Sequence, residues 1–321
     1  MIAVLTAGRS DRGLLDILMA EMTRCGLAHF TIGVGEAANV TYMVDTLLAS
    51  DSDRSVAQSA ALAEYGIADV LERAKPDMLL VLGDRSETLA ACCAAHTLRI
   101  PICHLHGGES TRGSLDDARR DAISMLATLH FVAHQDYGVR LFRMGVRGQI
   151  HDTGALGIDD LRIRDVKACG MYDHEQPMVL VSVPEGPEVA AAIAAALAML
   201  DVKRVLWFPP NADAGRHEVS RYATVPSQSR DAYLLMLAEA QVAVGNSSSL
   251  VYEAHAVGTP AVLVGDRQEG RVTHDSVVSV PADPHAIAAA IRDAMTREVV
   301  GPSPFGDGHA AERMVKLLCA R

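Results

Sequence analysis

The sequence predicts an α/β protein of two domains, each built on a parallel β-sheet that carries helices on both faces. Short apolar runs rich in β-branched residues alternate with longer segments of helical periodicity along the whole chain. This alternation is typical of βαβ units and of a parallel sheet covered on both sides. The chain has 321 residues, of which 49% are hydrophobic, so it is long enough for about two domains with substantial cores.

The first half of the chain contains four predicted strands and four predicted helices. Each strand is a short run of mainly apolar residues, and each helix repeats apolar residues at helical spacing. The predicted strands are Ile2–Thr6, Met78–Gly83, Ile100–His104 and Leu129–Ala133, and the predicted helices are Arg12–Cys25, Val56–Arg73, Glu87–Thr97 and Asp116–Ala127.

The second half repeats this pattern after a weakly periodic stretch with several glycines and prolines, Gly154–Glu185. Its predicted strands are Met178–Val183, Val205–Phe208, Val242–Gly245 and Ala261–Gly265, and its predicted helices are Glu188–Leu200, Arg230–Ala240, Leu250–Ala256 and Pro284–Met295. We therefore expect domains at 1–155 and 156–307. A last helix, Ala310–Ala320, is expected to return residues 308–321 to the first domain.

The overall charge argues against nucleic acid or an anionic membrane surface as a partner. The chain carries 29 basic and 40 acidic side chains, a formal net charge of −11, whereas phosphate-rich partners need a concentrated basic surface. No apolar run approaches the ~18–20 residues of a membrane span, and no signal peptide is recognisable at the start. We expect a cytoplasmic protein with reduced cysteines, in which local groups hold any anionic ligand.

Acidic residues follow two of the predicted strands in the first half. Ligands of open parallel sheets bind beyond the carboxyl ends of the strands. Asp84 follows one strand and Glu109 the next, each beside glycine, which favours a functional role. Asp116 and Asp117 begin a helix, where acids are most often caps that complement the helix dipole. The glycines before Glu109 also leave the backbone open to a ligand.

Two histidines near the same strand end, His104 and His106, raise the question of a metal site. Their spacing places both imidazoles on one face of a strand, where Asp84 or Glu109 could complete a ligand set. No second cluster of histidine and cysteine closes a four-ligand site, so hydrogen-bonding or core histidines are favoured. The chain has neither a GxGxxG fingerprint nor a P-loop. We predict no metal and no cofactor.

A phosphate-binding pattern follows a strand of the second half. Small hydroxylated residues at a helix start offer free backbone N–H groups and a partial positive charge to a phosphate or diphosphate. A simple N-cap would need one serine rather than three. The residues in this pattern are Asn246, Ser247, Ser248 and Ser249, and guanidinium groups that could bind phosphate oxygens are those of Arg9, Arg267 and Arg271.

Several motifs occur in a recognisable order. They are TAGRSDRGL at Thr6–Leu14, PDMLLVLGDR at Pro76–Arg85, HLHGGE at His104–Glu109, GSLDD at Gly113–Asp117, LHFV at Leu129–Val132, PNADAG at Pro210–Gly215, GNSSS at Gly245–Ser249 with Glu253, and GDRQEGR at Gly265–Arg271. In these motifs the chain resembles the UDP-N-acetylglucosamine 2-epimerases, most closely the branch that hydrolyses its nucleotide product. The resemblance implies two Rossmann-like, doubly wound domains of the glycosyltransferase-B type with a central cleft, a UDP-sugar substrate and a homodimer.

The resemblance also implies roles for individual residues. It makes Arg9 a phosphate contact, Ser247 to Ser249 the diphosphate cradle, and Glu253 the acceptor for the ribose hydroxyls. The acid/base carboxylates correspond to Asp84, Glu109, Asp116 and Asp117. Further substrate-binding residues implied are His106, Arg120, Asn246 and Arg271; some relatives have an acid at the position of His106.

The implied reaction removes the C2 proton of the sugar and expels UDP to give a glycal. Re-addition of UDP then gives UDP-N-acetylmannosamine, whereas water gives N-acetylmannosamine and UDP. Hydrolysing members usually have histidines where this chain has Asp121 and Val183, and the segment between His29 and Leu62 is short. These departures slightly favour retained UDP. They also leave two alternatives open, a UDP-sugar glycosyltransferase of the same fold and a nucleotide-sugar-binding protein that has lost turnover.

Overall fold

A computed structural model describes residues 1–35, 39–46, 52–111, 116–159, 178–209, 216–226 and 228–321. The chain divides into two compact units. One comprises Met1–Glu109, Ser114–Asp159 and Phe305–Arg321, and the other comprises Ser110–Gly113 and Asp160–Pro304. These units describe packing, and the domain limits given above stay predictions.

The first unit is built on a parallel sheet in the order β3-β2-β1-β4-β5-β6-β7. Its strands are β1 (Ile2–Thr6), β2 (His29–Val34), β3 (Tyr42–Val44), β4 (Met78–Leu82), β5 (Ile102–Leu105), β6 (Leu129–Val132) and β7 (Gln149–Asp152). Its helices are α1 (Arg9–Arg24), α2 (Asp53–Ala74), α3 (Ser86–Thr97), α4 (Asp116–Leu126), α5 (Gln135–Met144) and the C-terminal α11 (Ala310–Cys319).

The second unit contains a parallel sheet in the order β12-β11-β10-β8-β9. Its strands are β8 (Met178–Ser182), β9 (Arg204–Phe208), β10 (Val242–Gly245), β11 (Ala261–Val264) and β12 (Val277–Val280). Its helices are α6 (Pro187–Ala198), α7 (Arg216–Ser220), α8 (Arg230–Glu239), α9 (Ser249–Tyr252) and α10 (Pro284–Ala294). The two parallel sheets with their helices confirm the predicted α/β class.

The central strands are mainly apolar because both faces of the first sheet are covered. Every residue of β4 is buried. On one face, Leu18 of α1 packs with Met314 of α11 in one apolar cluster, and on the other, Ile67 of α2 packs with Ala91 of α3 in a second. The side chains that alternate along each strand therefore supply two cores rather than one core and one polar surface.

The C-terminal helix belongs to the first unit and is capped by a residue distant in sequence. The carboxylate of Asp159 accepts hydrogen bonds from the backbone N–H of Ala310 at 2.9 Å and of Ala311 at 2.6 Å. The N-cap residue itself, His309, makes no side-chain capping bond. Asp159 thus satisfies donors that the first turn of α11 cannot satisfy internally.

The sequence analysis missed the strands β2, β3, β7 and β12 and the helices α5 and α7. The strand β7 has the sequence QIHD and is partly exposed, so it lacks the apolar run that the prediction relied on. The helix α5 contains Gly138, which lowers helix propensity. The predicted helix Leu250–Ala256 is wrong in extent, because α9 ends at Tyr252 and turns follow it. Within the described residues, no helix is long and apolar enough to span a membrane.

We expect Asp159→Ala to lower the free energy of unfolding by about 1–2 kcal/mol, since two helix donors lose their acceptor. Asp159→Asn keeps one side-chain oxygen and should lose less. Urea unfolding followed by circular dichroism measures both variants. An unchanged urea midpoint for Asp159→Ala would show that this cap does not stabilise α11.

Candidate active site

The candidate residues lie at the points where the strand order of each sheet reverses. In the first unit the chain runs from β1 outward to β3 and then returns to place β4 on the other side of β1. In the second unit β10 lies beside β8, on the side opposite β9. Loops at such a reversal diverge and leave space for a ligand at the carboxyl ends of the strands. Asp84 follows β4, and Ser247–Ser249, called the serine motif below, follow β10.

The buried side chain of Arg120 organises the cluster in the first unit. Its guanidinium donates to Asp84, to Oδ1 of Asp117 at 2.9 Å and to the backbone carbonyl of Glu109 at 3.2 Å. The Arg120 side chain is 2% exposed, and a buried cation is tolerated only when oxygens around it take up its charge. Arg120 on α4 therefore holds the loops after β4 and β5 together.

A histidine and a glutamate form a second pair beside this arginine. Nδ1 of His106 lies 2.7 Å from Oε1 of Glu109, and Glu109 is buried. His106 has a φ of +61°, a left-handed conformation that side chains other than glycine rarely adopt and that often marks functional sites. A carboxylate that orients an imidazole is a common arrangement for proton transfer.

A fourth carboxylate of this cluster, that of Asp121, is bound by an arginine that the sequence analysis did not single out. Arg140 on α5 makes two hydrogen bonds to Asp121, at 2.6 and 2.8 Å, and a long one of 3.4 Å to the carbonyl of Glu109. The hydrogen bonds that Arg140 donates to the Asp121 carboxylate raise the pKa of Arg140. Asp121 is thus paired with Arg140 rather than with its neighbour Arg120.

Asp116 has a different neighbour from the other predicted carboxylates. Its Oδ1 lies 3.0 Å from the guanidinium of Arg119, three residues along the same helix. The carboxylates of Asp84 and Asp117 lie on Arg120, which reaches Glu109 through its backbone carbonyl, and the carboxylate of Asp116 lies on Arg119. The catalytic role implied for Asp116 stays a prediction.

His104 is a buried core histidine that fixes the end of β4. One ring nitrogen, Nε2, lies 2.9 Å from the carbonyl of Gly83, and the other, Nδ1, lies 3.0 Å from the hydroxyl of Ser124. Burial lowers the pKa of His104 to about 3, so the ring is neutral, donating to Gly83 and accepting from Ser124. His104 is therefore a hydrogen-bonded core histidine, as the sequence favoured over a metal ligand.

The two glycines before Glu109 are required by packing, which corrects the idea that they open the backbone to a ligand. A Cβ at Gly107 would lie 2.9 Å from both His104 Nδ1 and Ser124 Oγ. Gly108 has a φ of +79°, and a Cβ there would lie 2.3 Å from the carbonyl of Tyr137. The HLHGGE motif therefore lets this loop pack closely on α4 and α5.

In the second unit, Asn246 ties several loops together. Its side-chain amide donates to the backbone carbonyl of Glu185 at 2.9 Å. Its backbone carbonyl accepts from the side chains of Gln268 at 2.8 Å and Arg267 at 3.2 Å. Arg267 also pairs with the carboxylate of Glu185. These contacts use Arg267, one of the predicted phosphate-binding guanidiniums, to join the loop after β11 to the loop after β8.

The serine motif presents hydroxyl groups rather than the N-terminus of a long helix. Ser247 Oγ lies 3.0 Å from Ser249 Oγ, and the latter lies 2.6 Å from the hydroxyl of Tyr233. The amide of Leu250 donates to the carbonyl of Ser247 at 3.2 Å. Since α9 is a single turn, the macrodipole contribution expected from a longer helix is small. The hydroxyls are therefore donors that this motif can offer in addition to its backbone amides.

Other predicted binding residues of the second unit also have neighbours. Glu253 is buried and its Oε1 lies 2.6 Å from Arg230 Nη1. The Arg271 guanidinium lies 5.6 Å from the ring centre of Tyr252 and donates to Gln268. The side chain of Arg9 and the motif at 210–215 lie outside the described residues.

Comparison with known proteins identifies the family. A family model described as UDP-N-acetylglucosamine 2-epimerase matches residues 21–319. The chain belongs to this epimerase family. A UDP-N,N'-diacetylbacillosamine 2-epimerase (hydrolyzing) from Legionella pneumophila is 34% identical over 297 residues, covering 84% of this chain and 78% of that protein. A GDP/UDP-N,N'-diacetylbacillosamine 2-epimerase (hydrolyzing) from Campylobacter jejuni is 28% identical, covering 74% and 69%.

Solved structures of epimerases share the fold. The UDP-GlcNAc 2-epimerase from Neisseria meningitidis bound to UDP-GlcNAc superposes with a TM-score of 0.84 at 16% identity, over 100% of both chains. The Methanocaldococcus jannaschii UDP-GlcNAc 2-epimerase in complex with UDP-GlcNAc and UDP gives 0.85 at 16% identity, over 100% of this chain and 99% of that one. The predicted glycosyltransferase-B-type class is therefore confirmed.

The low pKa of His104 predicts a specific dependence of stability on pH. Below the ordinary histidine value of 6.5 the unfolded chain binds a proton that folded His104 does not bind until about pH 3. The free energy of unfolding should therefore fall by roughly 1.4 kcal/mol per pH unit from this group as the pH drops through that window.

Urea unfolding at about pH 5.5 and 4.5, both below the ordinary histidine pKa, tests this, with His104→Gln as the comparison. The glutamine can still donate to Gly83, but it does not titrate, so its slope should be smaller by about one proton. Parallel slopes for the two proteins would contradict the neutral, buried histidine.

Proposed function

We propose that the chain is a 2-epimerase of a UDP-linked 2-acetamido sugar that works by removing the C2 proton and eliminating UDP. The observation that carries this proposal is the buried Arg120, which draws Asp84, Asp117 and the Glu109 loop together at the carboxyl edge of the sheet. In a chain of the epimerase family, carboxylates gathered around one cation support a site for proton transfer.

The elimination breaks the C2–H bond and uses its electron pair to form a C1=C2 double bond, while UDP leaves C1 with the electrons of the C1–O bond. Inversion at C2 requires proton removal on one face of the sugar and proton delivery on the other. We assign these two tasks to Asp84 and His106, which follow different strands. Glu109 orients His106 and Arg120 orients Asp84.

The departing UDP needs hydrogen-bond donors and positive charge at its phosphates. We assign these to the serine hydroxyls of Ser247 and Ser249, with Ser248 beside them, and to Arg9 and Arg271. We assign Glu253 the role of accepting hydrogen bonds from the ribose hydroxyls, a role in which a fixed carboxylate is effective. Homodimer formation and a cytoplasmic location stay predictions.

Two observations point in opposite directions on the fate of UDP. Both oxygens of Asp121 are bound by Arg140, and Val183 is buried in the core of the second unit. Neither residue offers the imidazole that could activate water, which favours re-addition of UDP. The relative that is 34% identical is named as a hydrolysing enzyme. We propose release of UDP on the strength of that similarity and keep re-addition as the second candidate.

Turnover is also supported over simple binding. The pairs that an acid/base mechanism needs, His106 with Glu109 and Arg120 with Asp84, are formed. The family match extends over residues 21–319, which favours an epimerase over a glycosyltransferase that would share only the fold.

Incubation in deuterated water tests the reaction and its outcome together. UDP-GlcNAc and UDP-N,N'-diacetylbacillosamine are supplied separately, and the products are separated and examined by NMR. We expect deuterium at C2 of the product sugar and free UDP formed in proportion to it. Labelled UDP-sugar without free UDP would establish re-addition. Nucleotide binding with no labelled product would identify a protein that has lost turnover.

We expect Asp84→Asn to lower turnover by about 10²–10⁴-fold, the typical effect of removing a general acid or base. The amide is nearly isosteric and can stay beside Arg120, so the variant should fold and bind UDP. Asp69→Asn, an exposed aspartate of α2 near Arg73, is the matched control and should keep full activity. Wild-type turnover in Asp84→Asn would assign Asp84 a structural role.

A further inference from the structure

Two side chains on one face of α8 contact residues to which UDP binding is assigned. One contacts Glu253, and the other contacts the serine motif. Arg230 lies 2.6 Å from the Glu253 carboxylate, and Tyr233 lies 2.6 Å from the Ser249 hydroxyl. Residues three apart on a helix lie on the same face. One rigid helix therefore contacts both the predicted ribose acceptor and the predicted phosphate donors.

The contact of Tyr233 continues as a chain of hydroxyl groups. Tyr233 binds Ser249, Ser249 binds Ser247 at 3.0 Å, and Tyr233 also hydrogen-bonds the Ser182 hydroxyl at the end of β8. A phenol is a stronger acid than an alcohol, so the favoured order has Tyr233 donating to Ser249 and Ser249 donating to Ser247. The Ser249 amide also donates to the Ser247 oxygen, at 3.4 Å. In this order the Ser247 oxygen is an acceptor within the chain, and its own hydrogen is directed to an acceptor outside the chain.

The protonation of Tyr233 agrees with that order. Burial raises the pKa of Tyr233, so the phenol keeps its proton at neutral pH and remains a donor. The ring is held by an edge-to-face contact with Phe208, whose centroid is 5.0 Å away. A fixed donor at the start of a hydroxyl chain sets the direction of every hydrogen bond along it.

The contact of Arg230 fixes a carboxylate that is otherwise costly to bury. Glu253 is 6% exposed, and a buried carboxylate needs a cation or several donors. The guanidinium binds Oε1 and thereby holds that end of the carboxylate in place. A ribose hydroxyl would then meet an acceptor whose position is already fixed.

We propose that α8 positions the nucleotide, with Tyr233 ordering the serine hydroxyls for the diphosphate and Arg230 ordering Glu253 for the ribose. This inference rests on the proposed function, which places UDP at Ser247, Ser249 and Glu253. Tyr233 and Arg230 are positioning residues, since they act through side chains that touch the ligand. Loss of Tyr233 should therefore weaken binding of the diphosphate, whereas loss of Arg230 should weaken binding of the ribose.

Binding of UDP and of uridine to the full chain tests the role of Tyr233, with calorimetry for UDP and NMR titration for uridine. Tyr233→Phe should weaken UDP binding about three- to tenfold, as expected for loss of one hydrogen bond, and leave uridine binding unchanged. Tyr222→Phe is the matched control, because that hydroxyl binds the exposed Arg221. Equal loss for both ligands, or no loss for UDP, would overturn the role of Tyr233.

Arg230 is tested with the same two ligands. Arg230→Met should weaken UDP and uridine by similar factors, because both contain the ribose, and Arg230→Lys should restore part of the loss by keeping the charge. If Arg230→Met does not fold, Arg230→Lys decides: unchanged uridine affinity would overturn the role of Arg230. If the wild-type protein does not bind UDP, the proposed function fails. Wild-type binding with unaffected variants refutes only the positioning role of α8.

Discussion

The burial of one guanidinium determines the arrangement of the first unit's candidate site. Arg120 lies almost entirely out of solvent, and its charge must be balanced by oxygens brought to it. Asp84 comes from the loop after β4, Glu109 contributes a carbonyl from the loop after β5, and Asp117 lies one turn earlier on α4. The requirement that stabilises the buried charge therefore also gathers the candidate side chains to which proton transfer is assigned in the proposed function.

His104 supports this arrangement because it is neutral. Besides burial, the charge of Arg120 disfavours a second cation at this position. The neutral ring bonds Gly83 and Ser124 at once, which joins the end of β4 to α4 without adding charge. Asp84 follows directly after Gly83, so its position depends on a histidine whose role is structural.

Sequence patterns predicted the strands and the residues at their ends, which local residue patterns encode. They missed the side-chain contacts that form only in the folded structure. Apolar runs gave β1 and β10, and the rule that ligands meet strand ends gave Asp84 and the serine motif. The partners Arg140, Arg230 and Tyr233 were missed because their contacts join residues 16 to 31 positions apart. No local spacing encodes such pairs. The extent of α9 was overestimated because apolar periodicity continues where the chain instead turns.

The pairing of Asp121 changes what its departure from the family pattern means. In the sequence, Asp121 replaces a histidine, which suggests lost machinery. In the structure, the aspartate binds Arg140, and Arg140 also reaches the Glu109 carbonyl that Arg120 holds. Asp121 thus links α4, α5 and the loop of His106 through its ion pair with Arg140 rather than through an imidazole. Asp121 supplies no imidazole that could activate water, yet its pair with Arg140 keeps the loop that carries His106 and Glu109 fixed, so the proposed elimination does not depend on a histidine at this position.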